Sequence, residues 1–222
     1  MDKNFPKSLK WLAEHEGGLT CLKDDPGGLT NLGVTQADYN HYRRFKQLPI
    51  QSVRLITEAE REDDFRTFYW NTLQCSKLPS GIDNAIFDMA VNNGATGAAR
   101  CAQRIANQLL GKGLLVDGHI GPQSLDIIDD CHPAEFIDAF CDLRLKIDSG
   151  FANWKTFARA WTNRVNGNKK LRIGSVRDQS KSLIDAVVPV KPFLPAKPAP
   201  ANLRRQLMNA FALLIAKIFH RK

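Results

Sequence analysis

Apolar residues recur at helical spacing along most of the chain. Leu9 and Leu12 mark a first helix that starts near Pro6 and ends at Gly17-Gly18. Three later segments repeat this spacing: Ile82, Ile86, Met89 and Asn93; Ala98, Ala102, Ile105 and Leu109; and Phe136, Phe140, Leu143 and Ile147. Sustained alternation of apolar and polar residues is scarce, so the pattern predicts a mainly α fold.

Residues 18–34 interrupt the helical pattern with glycine, aspartate and threonine. This composition predicts a loop or a small β-hairpin after the first helix. Two threonines then predict helix starts. Thr35 can cap a helix that begins at Gln36, and Thr57 with Glu60 resembles a capping box.

The composition changes at Pro189. Five prolines between residues 189 and 200 predict an extended, semi-rigid spacer over residues 189–201. Residues 202–222 then combine an apolar stripe with basic ends, and the apolar run 210–216 is too short to span a bilayer. A cationic amphipathic helix on an anionic membrane fits this segment, and a helix docked on the domain is the alternative.

The net charge of +8 favours a polyanionic partner such as nucleic acid, an acidic cell wall, lipopolysaccharide or an anionic membrane. A basic surface kept only for solubility is the simpler alternative. Because no recognisable nucleic-acid motif accompanies the charge, we do not expect nucleic acid as the partner.

The five cysteines form no CxxC pair, and Cys101 and Cys141 occupy apolar positions of helical patterns. This usage is typical of structural thiols in a protein made in a reducing cytosol. The histidines lack metal-site spacing, so we expect no metal and no cofactor. The first residues do not form a signal-peptide pattern, so we expect synthesis in the cytoplasm without a signal peptide.

The most informative residues for chemistry follow the first helix. Glu16 stands at the end of that helix, and Asp25 comes nine residues later in a loop rich in glycine and threonine. One acid that protonates a leaving oxygen and one polar partner near a water are the minimum for cleaving a glycosidic bond. Apolar neighbours such as Trp11 or Leu12 would raise the pKa of Glu16 and keep it protonated near neutral pH.

This constellation resembles glycoside hydrolase family 108, peptidoglycan-cleaving muramidases of the lysozyme-like superfamily. The resemblance rests on these segments: His15-Glu16-Gly17-Gly18, Asp24-Asp25-Pro26-Gly27-Gly28, Thr30-Asn31-x-Gly33-Val34-Thr35, Tyr69-Trp70, Asp88-x-x-Val91-Asn92-x-Gly94 and Trp161-x-Asn163-Arg164. It implies a lysozyme-like helical fold and hydrolysis of the β-1,4 bond between N-acetylmuramic acid and N-acetylglucosamine, with Glu16 as the catalytic acid.

The second catalytic role stays open between neighbouring residues. Asp25 has the spacing from Glu16 that phage-type lysozymes show between their Glu and Asp, while capping of the Pro-Gly-Gly turn by Asp24 or Asp25 is the alternative. Thr30 is a candidate to position the water, as is Thr35 if it is not only a helix cap. The sequence leaves open whether the reaction inverts or retains.

Glycan recognition should use aromatic faces and amide side chains along a cleft. The candidates are Tyr69, Trp70, Asn92 and Asn93, with core packing an equal alternative for Trp70. Asp88 is expected to be a buried structural carboxylate satisfied by neighbouring helix termini.

The resemblance and the change of composition at Pro189 together divide the chain into four parts. Residues 1–96 form the lysozyme-like catalytic region, and residues 97–188 a helical peptidoglycan-binding region packed on it. Residues 189–201 form the linker and residues 202–222 the cationic helix.

The resulting hypothesis is a monomeric endolysin of phage or bacterial type that acts on the periplasmic cell wall. Its partner is peptidoglycan, and residues 202–222 would permeabilise an outer membrane by binding anionic lipid or lipopolysaccharide. The alternatives are a lytic transglycosylase, a non-catalytic wall-binding or membrane-active protein, and a secretion-assisting role. The host and the export route stay open.

Overall fold

The structure is a computed structural model that describes residues 4–15, 29–152 and 154–175. These residues lie within one compact unit, Met1–Ser180, and the second unit, Lys181–Lys222, lies outside the described part. The sequence-based predictions for Glu16, Asp24, Asp25, the linker 189–201 and the helix 202–222 therefore fall on residues that are not described.

The first helix, α1, spans Phe5–His15 and is anchored by its first residue. The Phe5 ring is fully buried and meets Trp70 edge-on at a centroid distance of 5.2 Å and Phe87 at 5.9 Å. Such edge-to-face contacts add to the free energy of burying aromatic surface. They fix the beginning of α1 against two later segments of the chain.

A two-stranded antiparallel hairpin follows, with β1 at Thr30–Asn31 and β2 at Val34–Thr35. Its turn residues, Leu32 and Gly33, both have positive φ, at 51° and 78°. Two central residues with positive φ give the turn geometry that matches the twist of a tight hairpin. Glycine adopts it without strain, whereas Leu32 adopts it at a steric cost.

Thr35 ends the hairpin and caps the next helix, α2, which spans Gln36–Phe45. A short 3₁₀ turn at Val53–Leu55 leads to α3 at Glu58–Phe65, which begins with a complete capping box between Thr57 and Glu60. Both predicted N-caps are confirmed, because each depends on side chains only three residues apart.

The end of α3 widens into a π-helical turn over Arg66–Trp70. The Asn71 N–H donates to the Arg66 carbonyl at 2.9 Å, which closes the i→i+5 ring. Such turns rotate side chains out of helical register and occur often at functional sites. Here the turn determines where Tyr69 and Trp70 point.

The rest of the described chain is a helical bundle. A 3₁₀ turn at Cys75–Lys77 leads to α4 at Ile82–Asn93, α5 at Ala95–Leu110, α6 at Pro122–Asp129, α7 at Pro133–Asp148 and α8 at Trp154–Ser175. The central helix α4 packs against α1, α5 and α7, and α7 packs along α8. Eight of its twelve residues are buried, so α4 forms the middle of the core.

A buried ionic cluster joins three of these helices. Asp88 on α4 accepts hydrogen bonds from Arg144 on α7 at 2.5 Å, from Arg164 on α8 at 2.8 Å and from Asn168 at 2.8 Å. Burial alone would raise the pKa of Asp88, but the two guanidinium groups hold it below its ordinary value. Asp88 is thus buried as expected, but side chains from distant helices satisfy it, not helix termini.

The mainly α class and the small hairpin after the first helix are confirmed. Four cysteines, Cys75, Cys101, Cys131 and Cys141, are buried free thiols, as the sequence pattern indicates. Among the helices of the described chain, none has the length and apolar character that a membrane crossing needs. The boundaries of the four predicted regions stay predictions.

Candidate functional site

The described residues flank the predicted site in the sequence. The last described residue of α1 is His15, which directly precedes Glu16 in the sequence, and description resumes at Leu29 just before the hairpin. The hairpin, the start of α2, the end of α3 and the π turn supply the side chains that can be placed. We call these four segments the hairpin wall.

Two threonines form the open end of the hairpin. Thr30 on β1 pairs with Thr35 on β2, and both side chains are partly exposed. The Thr35 hydroxyl donates to a carboxylate oxygen of Asp38 at 2.7 Å and accepts from the Asp38 N–H at 3.1 Å. The predicted water-positioning residue Thr30 therefore lies one strand away from a carboxylate on α2.

Asn31, the second residue of β1, also binds the hairpin to the segment before α3. The Asn31 side-chain amide donates to the carbonyls of Val53 at 3.2 Å and Arg54 at 3.3 Å. Gln36 accepts from the Val53 N–H at 2.8 Å and donates to the Gln51 carbonyl at 2.9 Å. These bonds hold the hairpin and α2 against the segment before α3, and they fix the position of the strand that carries Thr30.

Helices α2 and α3 are joined by ion pairs with buried tyrosines. Arg43 contacts Glu60 at 2.7 Å, and Glu60 also accepts from the Tyr39 hydroxyl at 2.9 Å. Burial would raise the pKa of Glu60, but hydrogen bonds from Thr57 and Tyr39 and the charge of Arg43 lower it. The contact between the end of α2 and the start of α3 is therefore electrostatically satisfied.

Asp63 and Asp64, two further acidic residues of α3, differ in whether their carboxyl groups have partners. Asp63 is paired with Lys46 at 2.6 Å and accepts from the Tyr42 hydroxyl at 3.0 Å. Asp64 is only 1% exposed, and neither of its carboxyl oxygens has a hydrogen-bond partner. Burial, followed by the negative charges of Asp38 and Asp63, raises the pKa of Asp64 to about 7.

Tyr69 shares this surrounding with Asp64. Its side chain is partly buried and contacts the Phe65 ring edge-on at 5.9 Å. Burial, and then the charges of Asp38 and Asp64, raise the pKa of the Tyr69 phenol, so it stays a neutral hydroxyl at physiological pH. We call Thr35, Asp38, Asp64 and Tyr69 the polar cluster, because Asp38 binds the Thr35 hydroxyl and the charges of Asp38 and Asp64 both act on Tyr69.

Trp70 points the other way. It is fully buried, its indole N–H donates to the Ser76 hydroxyl at 2.8 Å, and its ring meets Phe87 at 5.4 Å. A ring enclosed in this way has no free face for a sugar. The burial favours the core-packing alternative for Trp70 and leaves Tyr69 as the aromatic candidate of the pair.

The two amide candidates at the end of α4 also differ. The Asn92 side chain is exposed and donates to the Asp88 carbonyl one turn earlier at 2.7 Å. The Asn93 side chain is partly buried and donates to Asp148 on α7 at 2.8 Å. Asn92 can therefore offer its carbonyl oxygen to a ligand, while Asn93 is engaged in holding α4 to α7.

Sequence reasoning missed Asp38 and Asp64. Asp64 lies four residues before Phe68 and next to Phe65, on the face that carries the apolar residues of α3, and this position is a readable signal for burial. Asp38 carries no such signal, since an acid in the first turn of a helix is common. In the described part of the chain no group of histidine, cysteine or carboxylate side chains could hold a metal ion.

Comparison with known proteins first defines a class. Residues 9–94 match the sequence model of a family described as Glycosyl hydrolase 108, and this stretch contains the end of α1, the whole hairpin wall and α4. The match supports a glycosidase. No curated protein matches the chain in sequence.

A solved structure extends the likeness beyond that stretch. The structure of Brucella abortus SagA superimposes with a TM-score of 0.70 at 28% sequence identity, and the alignment covers 81% of this chain and 99% of that one. The architecture is consistent with a lysozyme-like, mainly α fold, as the sequence predicts.

Proposed function

We propose that this protein is a muramidase that hydrolyses the β-1,4 bond between N-acetylmuramic acid and N-acetylglucosamine in peptidoglycan. Glu16 is the general acid that protonates the glycosidic oxygen. Asp25 and Thr30 stabilise the developing positive charge or orient the attacking water. No cofactor takes part.

The observation that carries this proposal is the glycosyl hydrolase match over residues 9–94. It covers Glu16 and the hairpin wall, whose partly exposed hydroxyl groups suit a glycan. Thr30 and Thr35 present hydroxyls and Tyr69 a neutral phenol, so this surface can exchange hydrogen bonds with sugar hydroxyl and acetamido groups. Asn92 adds an exposed amide.

The test compares two glutamates near the end of α1. Glu16→Gln removes the proton that the leaving oxygen needs, and we expect turbidity clearing of purified peptidoglycan to fall by at least about a hundredfold. Glu14→Gln is the matched control, because Glu14 is an exposed residue two positions earlier. Equal clearing by the Glu16→Gln protein and the wild type would remove Glu16 from the mechanism.

The products decide the reaction class. A hydrolase releases fragments with reducing muramic acid ends, whereas a lytic transglycosylase that used the same glutamate would release 1,6-anhydro ends. Mass spectrometry of the released fragments separates the two. Anhydro products from the wild-type protein would replace the hydrolase proposal with the transglycosylase.

The finer parts of the proposal concern the rest of the chain. Residues 97–188 would bind peptidoglycan, and the cationic segment 202–222 would disturb an outer membrane while the domain cleaves the periplasmic wall. Replacing Arg204, Arg205, Lys217, Arg221 and Lys222 by glutamine should leave clearing of isolated wall unchanged and reduce killing of intact Gram-negative cells. Unchanged killing would reject a role for this segment's charge.

A further inference from the structure

Asp64 is a residue of the hairpin wall whose burial the proposed reaction does not explain. Its carboxyl group is 1% exposed, and both oxygens lack a hydrogen-bond partner. A buried polar group without a partner costs free energy, and a buried charge without one costs more. The fold therefore tolerates Asp64 far better as the neutral acid than as the carboxylate.

The charges around Asp64 act in the same direction. Asp38 on α2 and Asp63 on α3 are both negative neighbours, and Tyr42 and Tyr69 are the titratable hydroxyls within its electrostatic reach. Four cations of this region pair with other carboxylates: Lys46 with Asp63, Arg43 with Glu60, Arg61 with Glu58 and Arg66 with Glu62. Arg44, at the end of α2, is exposed. The charges that shift the pKa of Asp64 are those of Asp38 and Asp63, and both oppose its ionisation.

Asp64 is coupled to the part of the wall that faces the glycan in the proposed function. It shares the surroundings of Tyr69 with Asp38, and Asp38 holds the hydroxyl of Thr35 at 2.7 Å. Thr35 in turn pairs with Thr30 across the hairpin. A negative charge on Asp64 repels Asp38 and so acts on the contact that joins the hairpin to α2.

We propose that Asp64 is a positioning residue for glycan binding: its neutral form keeps the π turn, α2 and the hairpin packed as one wall, and its ionisation loosens that wall. The proposal rests on the proposed function and adds a pH-dependent element to it. Asp64 does not touch the glycan in this role but acts through Tyr69 and the Thr35–Asp38 contact.

The pH range follows from linkage. An unfolded aspartate ionises near about pH 3.9, while the folded Asp64 keeps its proton up to about pH 7. Between these values the folded state binds more protons than the unfolded state. The contribution of Asp64 to the free energy of unfolding therefore falls as the pH rises from about 4 to about 7, and it is constant above that range. The neutral fraction of Asp64 drops from about nine tenths at pH 6 to about one tenth at pH 8.

Two measurements test the proposal. Urea unfolding at pH 4, 6 and 8 compares the wild type with Asp64→Asn, Asp64→Leu and the exposed control Asp129→Asn. The two Asp64 variants should unfold at a higher urea concentration than the wild type at pH 8, by a margin that shrinks towards pH 4. If the unfolding curves of the wild type and the two Asp64 variants coincide at all three pH values, the proposal is overturned. This measurement does not depend on enzyme activity.

The second measurement is sedimentation with purified insoluble peptidoglycan in a Glu16→Gln background, which separates binding from cleavage. If only the neutral form is competent, the apparent Kd of the protein with Asp64 should rise about tenfold between pH 6 and pH 8. In the Asp64→Asn variant the apparent Kd should rise less than about twofold over the same range. In the Asp129→Asn control it should rise as much as in the protein that keeps Asp64. In the active protein the change should appear in KM and leave kcat nearly constant.

The outcomes separate this proposal from the proposed function. Equal pH dependence of binding with and without Asp64→Asn would overturn the positioning role. Absence of binding by every protein at both pH values would contradict peptidoglycan as the substrate, and the urea curves would then decide by themselves whether Asp64 ionisation loosens the fold.

Discussion

Gly167 on α8 leaves the space that the Trp11 ring of α1 occupies. A Cβ atom on Gly167 would lie 2.7 Å from Cζ2 of Trp11 and closer still to Cη2. Real Cβ atoms do not approach other atoms so closely, so the absence of a side chain at Gly167 permits the contact between the first and the last described helix. Since Glu16 follows α1 in the chain, this contact bears on the site.

The first prediction is that Gly167→Ala destabilises the protein although alanine is the better helix former. The methyl group must displace the Trp11 ring, and overpacking of this kind costs about 1–3 kcal/mol. Chemical denaturation should show the loss, and clearing of peptidoglycan should fall at a temperature where the variant is still folded. Gly97→Ala is the control, since nothing lies within 4 Å of a Cβ at this position on α5. Its stability should be unchanged or higher, and an equal loss in both variants would contradict the packing argument.

The second prediction uses the two threonine caps. Thr35→Ala and Thr57→Ala each remove an N-cap, and each should cost about 1 kcal/mol in the free energy of unfolding. Thr35 also donates to Asp38 and ends the hairpin, whereas Thr57 lies outside the hairpin and bonds within its capping box to Glu60. Thr35→Ala should therefore raise KM for peptidoglycan while Thr57→Ala leaves it unchanged. If KM rises to the same extent in both variants, the effect is one of general stability and the hairpin wall has no special role.

These caps also show which parts of the structure the sequence could supply. Thr35 and Thr57 were predictable because a cap is decided within three residues, and the helical faces of α4, α5 and α7 were predictable from their spacing. The partners of Asp88 were not, because Arg144 and Arg164 come from helices 56 and 76 residues further along the chain. Periodicity says that a position is buried but not which distant side chain meets it.

The candidate site shows the same division. The Glu16 and Asp25 roles come from motif resemblance and remain predictions, since these residues lie outside the described part. Tyr69 and Trp70 are adjacent in sequence, and the helical pattern could not tell which one faces the core. Both lie in the π turn, where Trp70 is buried and Tyr69 only partly so, and an i→i+5 turn has no pattern of its own in the hydrophobic spacing.

The third prediction concerns the buried cluster around Asp88. Asp88→Asn removes the carboxylate that the buried Arg144 and Arg164 share and leaves Arg144 with only the longer contact to Asp148 at 3.5 Å, which should cost about 3–5 kcal/mol. Asp142→Asn is the control, because its contact with Lys169 is at the surface with Asp142 68% exposed. Breaking that pair should cost less than about 1 kcal/mol. Urea unfolding at pH 7 checks both values, and a small loss for Asp88→Asn would show that the cluster contributes little to the fold.

The same cluster makes the free energy of unfolding depend on pH in the acid range. The pKa of Asp88 is lowered in the folded state, so its contribution to stability is present above the unfolded value of about 3.9 and is lost as the pH falls through the folded value. Wild-type stability should therefore decline more steeply below about pH 4 than that of Asp88→Asn. Parallel acid curves would assign the acid sensitivity to other carboxylates.

The last prediction separates the roles of Tyr69 and Trp70. Trp70 is fully buried against Phe5 and Phe87, so Trp70→Phe should lower the free energy of unfolding by about 1–3 kcal/mol and leave KM of the folded protein unchanged. Tyr69→Phe keeps the ring that packs on Phe65 but removes the hydroxyl of the polar cluster. It should change stability by less than about 1 kcal/mol and raise KM several-fold, because a glycan hydrogen bond is lost. Steady-state kinetics on soluble glycan fragments, together with urea unfolding of the same samples, checks both variants. A raised KM in Trp70→Phe with an unchanged KM in Tyr69→Phe would place the glycan on the other side of the π turn and remove Tyr69 from the binding surface.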